Sequence, residues 1–129
     1  NKATDARIKS NISQLRILAE VVYSNKNSSY DTVDTCFSLT SSNGAAPTPQ
    51  NIVDCGNSST AANVITAKTD IYTASSTLAS GVSTPSAYCV AATLSAGSTG
   101  TFCADSTGIS KVSSQLTAGA ACAAAVCVP

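Results

Sequence analysis

The chain has 129 residues, seven basic and seven acidic side chains, six cysteines and no histidine. At that length it reads as one domain over 1–129, and with no net charge and 5% aromatics it lacks the basic stripe and stacking residues of a nucleic-acid binder and the polybasic cluster of a membrane-surface protein. Charged residues are 11%, against about 25% in typical soluble domains, so Ser, Thr and Asn supply the surface polarity and copies of the chain repel one another weakly.

A helical pattern opens the chain, from about Thr4 or Asp5 to Ser24. At roughly 100° per residue, Ile8, Ile12, Leu15, Ala19 and Val22 share one narrow stripe, predicted to pack the helix onto a sheet. Ala6, Ile17 and Val21 lie on the opposite side. Two apolar faces predict two partners, the helix's own domain and something outside the chain. The abrupt start predicts the lower part of a longer helix, with residue 1 a processed end or a boundary. Asn25-Lys26-Asn27-Ser28-Ser29 supplies poor helix formers and ends the pattern, and Tyr30, Val33 and Phe37 anchor the segment that leaves it.

Residues 38–59 read as a loop, with turn signals at Ser41-Ser42-Asn43-Gly44 and Pro47-Thr48-Pro49 and no period. Cys36 and Cys55 flank it and are expected to close it. A second helix is predicted over 60–80, with Val64, Ile65, Ile71, Tyr72, Leu78 and Ala79 on one face, Ser59 or Thr60 as N-cap and Gly81 as the stop. Residues 88–94 then read as a strand, 95–100 as a turn and 101–105 as the returning strand. A further turn at 105–108 and a strand within 109–116 follow. A hairpin turning near Ala96–Ser98 brings Cys89 and Cys103 into cross-strand neighbourhood, the pairing that geometry favours. The Ala-rich tail over 118–129 carries Cys122 and Cys127, whose expected bridge requires looped rather than helical backbone; six cysteines allow fifteen pairings, and geometry argues only for 89–103.

An even number of cysteines without a C-x-x-C pair or any histidine predicts three disulfides rather than a zinc site, and hence an oxidising compartment. Catalytic arrangements are largely excluded. Without histidine there is no Ser-His or Cys-His pair, no serine stands three residues before a lysine, and Glu20 is the only glutamate. Asp31 and Asp34, with Asp54 or Asp105, offer oxygens for calcium, but no Asp-x-Asp-x-Asp-Gly run exists. No catalytic residue, metal or cofactor is therefore expected. Asn11, Asn27 and Asn57 stand in Asn-x-Ser sequons, read as ordinary surface positions.

In combination these segments resemble bacterial type IV pilins and the related pseudopilins without their membrane-embedded half-helix. The stretch from Ala6 to Arg16 and on through Ala19-Glu20-Val21-Val22-Tyr23-Ser24-Asn25 resembles the lower half of the pilin helix. Ser28-Ser29-Tyr30 followed by Cys36 resembles its exit. Tyr88-Cys89-Val90-Ala91-Ala92-Thr93-Leu94 with Phe102-Cys103-Ala104-Asp105-Ser106-Thr107-Gly108 resembles the pilin hairpin. The resemblance implies a disulfide-stapled α+β fold, a long N-terminal helix packed on a small antiparallel sheet. Within it, 1–25 form the helix, 26–85 the connecting and middle segment with its second helix, and 86–129 the sheet and cysteine-containing tail.

The function implied is structural: a major or minor subunit of a cell-surface pilus, membrane-anchored before assembly, serving adhesion and twitching motility. Its partners would be other subunits in a helical filament and host or surface receptors. Arg7, Arg16, Ile17, Glu20 and Val21 would make subunit contacts, and the stretches 38–59 and 118–129 the variable outer surface. The alternatives are a type II secretion pseudopilin and, from another class, a secreted disulfide-rich adhesin that does not polymerise.

Overall fold

A computed structural model describes residues 2–38, 46–74, 78–80, 83–94 and 100–129, with 78–80 described through their backbone alone. It is an α+β fold in which α1 (Lys2–Asn25), 24 residues long, spans about 36 Å. The predicted stripe is the helix's inner face: Ile8, Ile12, Leu15, Ala19 and Val22 are fully buried, joined by Leu18. α1 ends where Asn27 and Ser28 both take left-handed backbone, and the Ser28 N–H donates to the Tyr23 carbonyl. Asn tolerates that conformation better than most residues, which explains the stop.

The sheet has four antiparallel strands in sequence order: β1 (Leu78–Ser80), β2 (Cys89–Thr93), β3 (Thr101–Asp105) and β4 (Ser110–Ser113). Alternation divides its faces. Val90, Ala92 and Ala104, with Tyr88 and Leu94 flanking β2, belong to the main core against α1 and α4 (Ser58–Thr73). Cys89, Ala91 and Cys103 face the other way, into a smaller core closed by α5 (Ala118–Ala121), Cys122 and Cys127. The tail predicted as outer surface is therefore partly an inner layer.

Residues 38–59 are not one loop. Two short helices, α2 (Val33–Phe37) and α3 (Pro49–Cys55), flank residues 39–45, and the turn signal at Ser41–Gly44 lies outside the described residues. Thr48 and Asn51 cap α3 reciprocally, with Pro49 in its first turn. The proline read as a breaker is a helix starter, because the first helical position has no use for its missing N–H. The second predicted helix starts earlier and ends earlier than 60–80. Asn57 rather than Ser59 or Thr60 caps it, accepting from the Thr60 N–H at 2.8 Å, and it ends at Thr73 with Ala74 as C-cap. Leu78 and Ala79 pair with Ala92 and Ala91 as β1, and Gly81 lies outside the described residues. Replacing Asn57→Ala is expected to cost about 1 kcal/mol, read by calorimetry as a melting point lower by roughly 3–5 °C.

The disulfides are Cys36–Cys55, Cys89–Cys122 and Cys103–Cys127. The first is the predicted pair and ties α2 to α3. The expected Cys89–Cys103 and Cys122–Cys127 bonds do not form. Register places Cys89 opposite Asp105 and Cys103 opposite Ala91, so the two strand cysteines are diagonal, with Cα atoms roughly 7–8 Å apart, beyond ordinary disulfide reach. α5 ends at Ala121, and each tail cysteine then reaches a different strand.

Candidate assembly surface on the first helix

α1 is held at its margins by polar contacts that fix which side looks outward. The Arg7 guanidinium pairs with the Asp70 carboxylate on α4, and the Asn11 amide donates to the same carboxylate. Hydrogen bonds from Arg7 and then Asn11 hold the Asp70 pKa below the usual carboxylate range, and Asp70 in turn raises that of Arg7. On the other margin the Tyr30 hydroxyl donates to both Glu20 carboxylate oxygens at 2.7–2.8 Å. Burial first, then the Glu20 hydrogen bond, pushes the Tyr30 pKa up to about 12. Tyr30 stacks at a tilt between Tyr23 and Tyr88, ring centroids 4.4 and 5.0 Å away, which locks the chain leaving α1 against its last turns.

Between these margins the helix shows Ala3, Ala6, Ser10, Ser13, Gln14, Ile17, Val21 and Ser24, all exposed and none charged. Ile17 is 57% exposed and Val21 37%, adjacent on the helix surface by their four-residue spacing. Of the five residues expected to contact other subunits, the structure brings these two to the centre of one open face. Arg7 and Glu20 sit at its edges and already have partners within the chain. Arg16 is half-buried, its carbonyl 3.5 Å from the Tyr88 hydroxyl. The face is smooth, neutral and capable of close helix approach.

The other aspartates singled out in the sequence do structural work, Asp31, Asp34 and Asp54 through their backbones and Asp105 through its carboxylate. The Asp31 carbonyl accepts from the Ser83 hydroxyl, whose oxygen accepts the Asp34 N–H. The Asp54 carbonyl accepts from Thr32, and Asp54 borders an open depression of about 560 Å³ between α2 and α3. Asp105 is buried, taking the Cys127 N–H at 2.8 Å and the Thr107 N–H at 2.9 Å. Burial opposes its charge, but these bonds outweigh that and hold its pKa below the usual carboxylate range. Among the described residues, Asp31, Asp34, Asp54 and Asp105 are not gathered into one site; the gathered metal-ligating types are Cys89, Cys103 and Cys127.

Of the sequon asparagines, Asn57 is committed to its cap and Asn11 to Asp70, while Asn27 is exposed in a turn. Sequence reasoning missed Asp70, whose role depends on α4 lying beside α1. It also missed Lys68, buried on α4 with its pKa pushed down to about 8 by that burial. Neither residue carries a local pattern that would have revealed it.

Three disulfides fit an oxidising compartment, and among the described residues no helix is long and apolar enough to cross a membrane. Comparison of the chain with protein-family models, with curated proteins and with solved structures finds no match.

Proposed function

We propose that this chain is a structural subunit of a bacterial type IV pilus, acting at the cell surface in adhesion and, through the whole filament machine, in twitching motility. The observation that carries the reading is the open face of α1, where Ile17 and Val21 stand exposed on a helix whose opposite stripe is fully buried. A helix that leaves one side uncharged can pack against the same helix of a neighbour. Repeating such a contact between different patches of identical subunits generates an open helical filament. The sheet and its disulfide-bonded tail would then form the outward layer.

The test is the double substitution Ile17→Asn with Val21→Asn in bacteria expressing the native gene. Both side chains are exposed, so stability of the purified domain should change by less than about 0.5 kcal/mol per site. Surface filaments counted by electron microscopy should be lost. Undiminished filaments would sink the assembly role of this face, and unfolding of the isolated domain would sink its description as a face spare to the fold. A secreted module that never polymerises would show no filaments even in the unmodified strain.

A further inference from the structure

One-electron oxidants attack a short list of side chains: thiols, thioethers, indoles, imidazoles and phenols. This chain has no methionine, tryptophan or histidine, and all six cysteines are bonded in disulfides. Four tyrosines remain. Three of them, Tyr23, Tyr30 and Tyr88, stand together where the chain leaves α1, while Tyr72 lies apart on α4. The three differ in access and in proton acceptor. Tyr23 is half-buried and reaches solvent, Tyr30 is nearly covered, and Tyr88 is fully buried. Tyr30 donates its phenolic proton to a carboxylate, 2.7–2.8 Å from the two Glu20 oxygens. The Tyr88 hydroxyl has the Arg16 carbonyl, a weaker base, at 3.5 Å.

We propose that this trio is an oxidative modification site: Tyr30 loses an electron to a one-electron oxidant as its proton passes to Glu20, and Tyr23 and Tyr30 then join as an intramolecular dityrosine. An oxidised phenol is a far stronger acid than a carboxylic acid, so the proton crosses the existing hydrogen bond as the electron leaves. Glu20 is exposed and hands that proton to water. The acceptor is needed because burial, and then the Glu20 hydrogen bond, raise the Tyr30 pKa to about 12. The phenol is therefore protonated at neutral pH, and its electron leaves only in company with the proton.

Tyr23 supplies the second electron and proton directly to solvent. The two phenoxyl radicals couple through ring carbons next to the oxygens. One C–C bond forms, and the hydrogens on those carbons move to the oxygens, restoring both phenols. Two one-electron oxidants are reduced and two protons released; with a haem peroxidase as carrier, one hydrogen peroxide becomes two waters. The ring centroids of Tyr23 and Tyr30 are 4.4 Å apart, closer than the ~4.5–7 Å usual for aromatic pairs, so coupling asks for side-chain rotation rather than backbone movement. The bond would tie the last turns of α1 to the segment beyond the left-handed turn at Asn27 and Ser28. Tyr88, shielded from the oxidant, stays intact.

The test oxidises the dilute whole chain with hexachloroiridate(IV). Expected is a monomer two hydrogens lighter, with dityrosine fluorescence. Trypsin cuts after Lys26, between the two tyrosines, so mass spectrometry of the unfolded, reduced digest should find the peptide holding Tyr23 joined to the peptide holding Tyr30. Tyr23→Phe and Tyr30→Phe should each abolish the product, and Tyr72→Phe should leave it unchanged. Glu20→Gln keeps all three rings, and near-ultraviolet circular dichroism checks their packing; cross-linking in it should slow on the order of a hundredfold. A cross-link that survives Tyr23→Phe, products joined mainly between chains, oxidation centred on Tyr72, or an unchanged rate in well-packed Glu20→Gln would overturn the proposal.

Discussion

Asp105→Ala is expected to destabilise the domain by about 2–4 kcal/mol, because it strips the acceptor from the buried Cys127 N–H and from two part-buried Thr107 donors at once. The Cys127 N–H, the Thr107 N–H and the Thr107 hydroxyl all end on this carboxylate, which is almost fully buried. The buried Cys127 N–H, left without a partner, keeps its desolvation cost, so the loss exceeds the net worth of the bonds. Asp105→Asn retains one acceptor oxygen and should cost less. Denaturant titration of the three proteins measures the order.

The same carboxylate gives the fold an acid limit. Its pKa is lower in the folded chain than the ordinary value of about 3.9. Its contribution is therefore full above that ordinary value and is lost as pH falls through the lower folded pKa. Asp70, also depressed, behaves in the same direction. Unmodified protein should lose stability steeply below about pH 4, and Asp105→Asn should show a flatter curve there, leaving the part owed to Asp70. Identical acid slopes would remove Asp105 from this role.

What the sequence made legible follows its periods. Ile8 to Val22 recurs with helical spacing over several turns, and Tyr88, Val90, Ala92 and Leu94 alternate for long enough to fix a strand and its buried face. Both patterns are local and repeated. The missed features depend on single residues or on distant partners. Pro49 means break or begin according to whether Thr48 and Asn51 cap each other, a side-chain event with no periodic trace. Leu78–Ser80 is three residues long, too short to separate a strand from the end of a helix until β2 lies beside it.

The open face of α1 was legible in part for the same reason. Ile17 and Val21 fall opposite the stripe by angle alone, whereas Arg7 and Glu20 look equally available in sequence. Their partners, Asp70 and Tyr30, lie 63 and 10 residues away. Charge at the edge of a helix is easily spent inside the domain, and only the fold reveals it. What survives as a candidate surface is accordingly smaller and more apolar than the five residues first named.

Cys122→Ser with Cys127→Ser should detach the tail and cost about 4–5 kcal/mol, less than the sum of two independent cross-links because both secure one segment. The bonds span 33 and 24 residues, each contributing about 3.5 kcal/mol in the loop-entropy account. For a chain of this size the loss should appear as a fall in melting temperature of roughly 15 °C. The variant also isolates the register argument. It leaves Cys89 and Cys103 as sulfurs 3.3 Å apart, close enough that proximity alone predicts a new bond. Their backbone positions are diagonal, however, since Cys89 faces Asp105 and Cys103 faces Ala91. Closing the bond would require a two-residue slip of β3 along β2, breaking the pairing of Val90 with Ala104 in the main core. Both thiols should therefore remain free, each taking up one equivalent of alkylating agent when the variant is unfolded without reductant. A variant with no titratable thiol and an unchanged melting temperature would mean that the hairpin can slip, and that the tail does not hold the sheet.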